Sequence, residues 1–289
     1  MKKIKIGING FGRIGRQLTK LIINSDTVEL SAINDLADSK TSAHLFKYDT
    51  SYGIFNGDIE YNDSEIIING SKIKKFSERD PAQINWTDQE VDIVVESTGI
   101  FTKKDQAEKH ISGSVKKVII SAPATDEDIT IVLGVNDESY DPSIHNIISN
   151  ASCTTNCVAP MVKVLNENFS IQYALMSTIH SFTNDQSVLD QPHSDLRRSR
   201  TASENIIPTT TGAAKAVVQV IPEMKGKIDG MAYRVPTASV SVTDLTVSLN
   251  KNTTSEEINS VFESASKNEL MGLLEYSNLP LVSQDFKGN

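Results

Sequence analysis

Three glycines, Gly10, Gly12 and Gly15, in the run Gly10-Phe11-Gly12-Arg13-Ile14-Gly15, constrain this chain more than any other feature. The run follows a short β-branched stretch, 3–9, and precedes an amphipathic one in which Ile14, Leu18, Leu21 and Ile22 fall on one helical face. Glycine there permits a tight strand-to-helix turn and lets backbone amides approach a pyrophosphate at the helix N-terminus. The next apolar run, 28–34, ends in Asn34-Asp35-Leu36, which puts Asp35 twenty residues beyond Gly15. A carboxylate at that distance suits a ribose hydroxyl and repels an added 2′-phosphate, which favours NAD over NADP.

Further buried-strand candidates, 91–96 and 118–121, continue the alternation of strand and helix. That repetition implies an α/β fold with a doubly wound parallel sheet. A stretch at 59–76 alternates around Asn69-Gly70 and reads as an inserted hairpin. Beyond about residue 150 the pattern changes to a helix over 154–169, strand candidates at 173–180 and 231–250, and a polar loop over 182–208. These predict an α+β domain with a mostly antiparallel sheet, so two domains are expected, 1–150 and 151–289.

Composition narrows the classes. Of 289 residues 38% are hydrophobic and 22% charged, enough for a packed core and unlike a disordered chain. A net charge of −9 argues against a nucleic-acid partner. The basic start lacks an apolar signal core, and no apolar run reaches the roughly 18 residues of a membrane span. A cytoplasmic, soluble protein is expected, with no membrane partner. Two cysteines suit a reducing compartment, and without clustered ligands they imply no metal site.

Those cysteines lie in Ser152-Cys153-Thr154-Thr155-Asn156-Cys157, at the predicted start of the second domain's first helix. A helix N-terminus stabilises thiolate over thiol, so Cys153 is the candidate nucleophile. Cys157, one turn on and on the side of Met161 and Leu165, is expected in the core. His180 ends an apolar strand candidate before a polar loop and is the candidate base. His44, His110, His145 and His193 read as surface or structural.

The segment Asn150-Ala151-Ser152-Cys153-Thr154-Thr155-Asn156-Cys157 resembles the active-site signature of the phosphorylating, NAD-type glyceraldehyde-3-phosphate dehydrogenase family. So do Ile8-Asn9-Gly10-Phe11-Gly12-Arg13-Ile14-Gly15-Arg16, Glu78-Arg79-Asp80-Pro81, Thr209-Thr210-Thr211-Gly212-Ala213-Ala214-Lys215 and Arg234-Val235-Pro236-Thr237. The resemblance implies a Rossmann domain, a catalytic domain and a homotetramer. It implies glycolytic oxidation of glyceraldehyde 3-phosphate to 1,3-bisphosphoglycerate with NAD and inorganic phosphate, through a hemithioacetal and a thioester on Cys153, with His180 as base. Carried over by position, Gly10, Gly12 and Gly15 form the NAD turn and Arg13 and Ile14 meet the pyrophosphate. Asp35 takes the adenosine ribose, and Arg79 and Ser121 also contact NAD. Ser152, Thr154, Thr183, Arg200, Thr211, Gly212 and Arg234 bind substrate and phosphate. Without the family, Arg200, one of three arginines in 197–200, reads as a solvated charge. Gln191 departs from the small or apolar residue usual at its position. The family continues beyond the residue matching Asn289 through a strand and a long helix, with the asparagine that holds the nicotinamide amide, so the chain is expected to lack the C-terminal end. Rival readings are the relative acting on erythrose 4-phosphate and an inactive NAD-binding or interaction protein.

Overall fold

A computed structural model describes residues 2–289. Two compact units divide it: residues up to Ile131 with Ser139–Ala151, and Val132–Glu138 with Ser152–Asn289.

The first unit is built on a nine-stranded sheet. Its strands in chain order are β1 (Ile4–Asn9), β2 (Val28–Asn34), β3 (Ile59–Asn62), β4 (Glu65–Ile68), β5 (Ser71–Phe76), β6 (Ile93–Glu96), β7 (Lys117–Ile120), β8 (Ile129–Thr130) and β9 (Ile147–Ser149). They lie in the order β8-β9-β7-β6-β1-β2-β5-β4-β3. Pairing is parallel from β8 through β5, and only the β5–β4 and β4–β3 pairings are antiparallel. The stretch over 59–76 is thus three strands rather than a separate hairpin. Asn69 (φ 48°) and Gly70 (φ 80°) make its second turn, and β5 then joins β2 and extends the main sheet.

The two faces of β1 meet different cores, as alternation in a central strand requires. Ile6 and Ile8 pack with Phe11, Ile33, Phe46 and Ile73. Gly7 faces the other way, where a Cβ would sit 2.8 Å from the Trp86 ring, and Trp86 packs there with Ile84, Val91 and Val94. Helix α1 (Arg13–Ile22) buries Gly15, Thr19 and Ile22. Ile14 and Leu21, expected on the buried face, are exposed. The close seating of Gly15 on the turn sets the helix rotation: its Cβ position lies 2.2 Å from the Gly10 carbonyl oxygen and 3.1 Å from Ile8 Cγ2. Helix α2 (Ser39–Lys47) is capped by Asp38, whose side chain accepts from Thr41 N.

The second unit opens with α3 (Cys153–Phe169) and carries a mixed sheet of β10 (Ile171–Ser181), β11 (Ile207–Thr209), β12 (Ile228–Val235) and β13 (Val242–Leu249). The order is β11-β12-β10-β13, with β10 and β12 parallel and the other two pairings antiparallel. The candidate strand over 231–250 is therefore two strands, parted after Val235 where Pro236 lacks the amide a ladder needs. Helices α4 (Ala213–Val220) and α5 (Ser255–Lys267) complete the unit, α5 behind a capping box of Thr254 and Glu257.

Gly15→Ala tests the turn. Helix propensity alone favours alanine by about 1 kcal/mol, yet the added methyl overlaps the Gly10 carbonyl. Overpacking should dominate and lower stability by about 1–3 kcal/mol, read from the urea midpoint. A raised midpoint would show that the turn yields.

Candidate active site

In the second unit, Ser152 caps α3, its Oγ accepting from Thr155 N at 2.9 Å, after Ala151 turns the chain at φ 61°. Cys153 is then the first helical residue, its side chain exposed. Its Sγ lies 3.3 Å from Nε2 of His180, the penultimate residue of β10. The Ser181 carbonyl lies 2.6 Å from His180 Nδ1. Arg234 Nη1 lies 2.9 Å from the same nitrogen. The carbonyl only accepts and the guanidinium only donates, so Nδ1 is held between the two and Nε2 is the nitrogen left facing the sulfur. The His180 hydrogen bond is the largest influence on the Cys153 thiol and holds its pKa below the ordinary value; burial pushes the other way, and Thr154 adds to the lowering. The dipole at the start of α3 acts in the same sense as His180.

Cys157 is exposed, contrary to its expected core position. It lies four residues from Cys153 and hence on the same helical face. The buried face is formed by Thr154, Thr155, Val158, Val162 and Leu165.

The parallel register of β10 and β12 places Arg234 opposite His180. Arg234 Nη1 donates to the Ser181 carbonyl at 2.9 Å and to Thr183 Oγ1 at 3.4 Å. Its Nε is buried with no hydrogen-bond partner, a donor without an acceptor beside the catalytic pair. Burial is the main influence lowering the Arg234 pKa, and the charge of Arg198 adds to it. Arg198 is half-buried and donates to Asp185 Oδ2 at 2.8 Å, Thr209 Oγ1 at 2.9 Å and the Thr210 carbonyl at 3.1 Å. Arg200, the arginine expected here, is instead exposed, its Nε donating to Asp190 Oδ2 at 2.9 Å. Spacing could not choose among the arginines of 197–200, because the loop path decides which one turns inward. Thr211 and Gly212 precede α4, where Thr211 Oγ1 accepts from Ala213 N at 3.2 Å. Gly212 is exposed and its Cβ position meets nothing. Ser152 is half-buried and Thr154 buried.

The first unit holds a cleft of about 340 Å³ at the ends of β1, β2 and β6. Gly10, Gly12, Asp35 and Arg79 line it, with Asn9, Asn34, Ser97 and Thr98. Gly10 (φ 92°) could not carry a Cβ, which would lie 2.7 Å from the Thr98 backbone nitrogen; at Gly12 the same position is open space. Asp35 is held by Phe11 N to Oδ2 at 2.7 Å and Ala37 N to Oδ1 at 2.9 Å. Arg13 and Ile14 form the first turn of α1. Gly15 and Ser121 do not line the cleft; Gly15 serves helix seating, and Ser121 N donates to the Glu96 carbonyl at 2.9 Å. An open cradle at a helix N-terminus beside a fixed carboxylate fits a dinucleotide's pyrophosphate and ribose. Among the described residues no cluster could hold a metal ion.

A buried polar chain beneath this cleft escaped the sequence patterns. Glu96 Oε2 accepts from Asn9 Nδ2 at 2.6 Å and His110 Nε2 at 3.0 Å. Asn34 Nδ2 donates to Asn9 Oδ1 at 2.7 Å, and Asn34 also bonds the Glu78 backbone. The only available signal was a polar residue closing each apolar run.

Residues 4–104 match the family model described as glyceraldehyde 3-phosphate dehydrogenase, NAD binding domain. Residues 152–289 match that of the glyceraldehyde 3-phosphate dehydrogenase C-terminal domain. The chain is 61% identical over 284 residues to glyceraldehyde-3-phosphate dehydrogenase 1 of Bacillus cereus, covering 98% of this chain and 85% of that protein. It is 57% identical over 287 residues to glyceraldehyde-3-phosphate dehydrogenase 2 of Streptomyces avermitilis, covering 99% and 86%. With the Geobacillus stearothermophilus enzyme of that name the identity is 55% over 286 residues, covering 99% and 85%.

Both cysteines are exposed, but only Cys153 faces an imidazole. Limiting iodoacetamide is expected to modify Cys153 first, with a rate that reaches half its maximum below the ordinary thiol value of about 8.5. His180→Asn removes the main influence lowering that pKa, so the profile should move to higher pH. Peptide mapping across pH checks both; equal labelling, or a profile unmoved in the variant, contradicts the assignment.

Proposed function

The chain belongs to the glyceraldehyde-3-phosphate dehydrogenase family, and from that premise we propose how its residues carry out the reaction. The activity is the glycolytic, NAD-dependent oxidation of glyceraldehyde 3-phosphate in the presence of inorganic phosphate. The observation that carries the assignment of roles is the 3.3 Å approach of Cys153 Sγ to His180 Nε2. Residues 1–150 serve as the NAD-binding domain and 151–289 as the catalytic domain.

Cys153 gives its thiol proton to His180 Nε2 and adds as thiolate to the aldehyde carbon. The former carbonyl oxygen takes that proton to complete a hemithioacetal, and Nε2 removes it again so that hydride can leave. NAD supplies the hydride acceptor that turns this adduct into a thioester. A phosphate oxygen then attacks the thioester carbonyl and expels Cys153 as thiolate, releasing the acyl phosphate. Arg234, with its unpartnered Nε, and Thr183 take an anionic phosphate group. Ser152, Thr154, Thr211 and Gly212 complete the phosphate-binding set, and Arg198 takes the part expected of Arg200. Gly10, Gly12, Arg13, Ile14, Asp35 and Arg79 hold NAD, and Gly15 seats the helix that receives the pyrophosphate. Ser121 stays with this set on the resemblance alone.

The protein works in the cytoplasm as a homotetramer. Supporting assembly, the face of the mixed sheet that carries Tyr173, Leu175, Met231 and Val242 is exposed. Exposed apolar side chains grouped on one sheet face suit a second copy. Among the described residues no helix is long and apolar enough to cross a membrane.

Turnover tests the reading. Cys153→Ser should abolish NAD reduction. Arg198→Ala should raise the KM for phosphate about 10- to 100-fold, the loss of a charged hydrogen bond; Arg200→Ala should leave it within about twofold. The reverse order would restore Arg200 to the site. For assembly, Leu175→Asp should shift the mass from light scattering from tetramer to smaller species, and an unchanged tetramer would move the interface elsewhere.

A further inference from the structure

One buried charge is unused by the chemistry above. Lys75, the penultimate residue of β5, pairs with Ile33 of β2 and is 8% exposed. Ile73, two residues earlier on the same face, packs in the core with Ile33, Ile66 and Phe46. Such a position ordinarily carries an apolar side chain, since a buried ion loses its hydration. The Lys75 ammonium reaches past this core to the end of β2, donating to the Asp35 carbonyl at 2.7 Å and the Phe76 carbonyl at 3.2 Å. Among the described residues no carboxylate forms an ion pair with it. Burial is the largest influence on its pKa and lowers it; the charges of Asp35 and Asp38 act in the opposite sense.

The ammonium thus binds the backbone of the residue whose carboxylate faces the adenosine end of the cleft. That carboxylate is clamped by Phe11 N and Ala37 N, so the cation stands in fixed relation to the ribose-binding charge. Low-dielectric surroundings keep its field from being screened as a surface lysine's would be. We propose that Lys75 is a specificity-determining residue: its ammonium fixes the Asp35 turn and offsets part of the Asp35 charge, so the cleft rejects a 2′-phosphate less strongly than Asp35 alone dictates. The proposal rests on Asp35 receiving the adenosine ribose.

The test is equilibrium binding of NAD and of NADP to the full chain by calorimetry, without turnover. Asp35→Asn should narrow the ratio of the two dissociation constants; an unchanged ratio there refutes the ribose reading, and the proposal with it. Lys75→Met removes charge and donor, while Lys75→Gln retains a neutral donor toward the Asp35 carbonyl. Both should widen the ratio in favour of NAD roughly fivefold, because a more negative site repels the extra phosphate. Should Lys75→Met fail to fold, Lys75→Gln carries the test alone. A ratio unchanged in the lysine variants while Asp35→Asn narrows it overturns the proposal and spares the ribose reading. So does a proportional weakening of both nucleotides, which marks a merely structural lysine. A wild-type ratio in Lys75→Gln assigns the effect to the hydrogen bond and overturns the role of charge.

Discussion

The 3.3 Å contact between Cys153 Sγ and His180 Nε2 is the interaction on which the catalytic assignment depends, and it is assembled from parts distant in sequence. A helix begins at Cys153 because Ser152 caps it; a long strand delivers His180 at its far end. The parallel neighbour then brings Arg234 to the same level by register alone. Slipping that register by one residue would turn Arg234 to the opposite face of the sheet. His180 Nδ1 is flanked by a backbone carbonyl and by Arg234 Nη1, with no carboxylate beside it among the described residues.

The NAD-binding unit follows the same logic at the ends of its strands. Asn9, Asn34 and Glu96 are the final residues of β1, β2 and β6, adjacent in the sheet and joined by hydrogen bonds in a nearly solvent-free layer. Each is a buried polar residue that closes its strand. Parallel sheets bind ligands outside the carboxyl ends of their strands, and here the buried polar layer supports the cleft floor. A fully bonded carboxylate such as Glu96, which also accepts from Thr98 N at 2.8 Å, constrains the neighbouring loop more tightly than an apolar side chain would.

Lys75 and Arg234 share a pattern. Lys75 is buried and Arg234 half-buried, and both donate to backbone carbonyls. Burial lowers the pKa of each, and buried charges contribute little to stability. Their positions make sense as fixed sources of positive potential toward anionic or carboxylate-bearing sites.

Much of this was legible in the residue order. The glycine turn, Asp35 at the end of β2, the thiol at a helix start and the histidine at a strand end are local patterns, set by backbone conformation and hydrophobic period over a few residues. What the order left open were choices that depend on neighbours far along the chain. Ile14 and Leu21 share a helical face with buried residues, yet the seating of Gly15 on Gly10 rotates them into solvent. Cys157 lies on the same helical side as Cys153, and packing buries the other side. The arginines of 197–200 are equivalent by spacing, and the loop path turns Arg198 toward Arg234 while leaving Arg200 with Asp190. Lys75 reads as one more charge in a polar strand, and only the pairing of β5 with β2 places its ammonium behind Asp35. Local patterning thus determined which elements form and which residue types end them, because those depend on short-range backbone sterics. Rotation, register and loop path decided which side chains meet, because each is settled by packing against segments that sequence neighbours cannot specify.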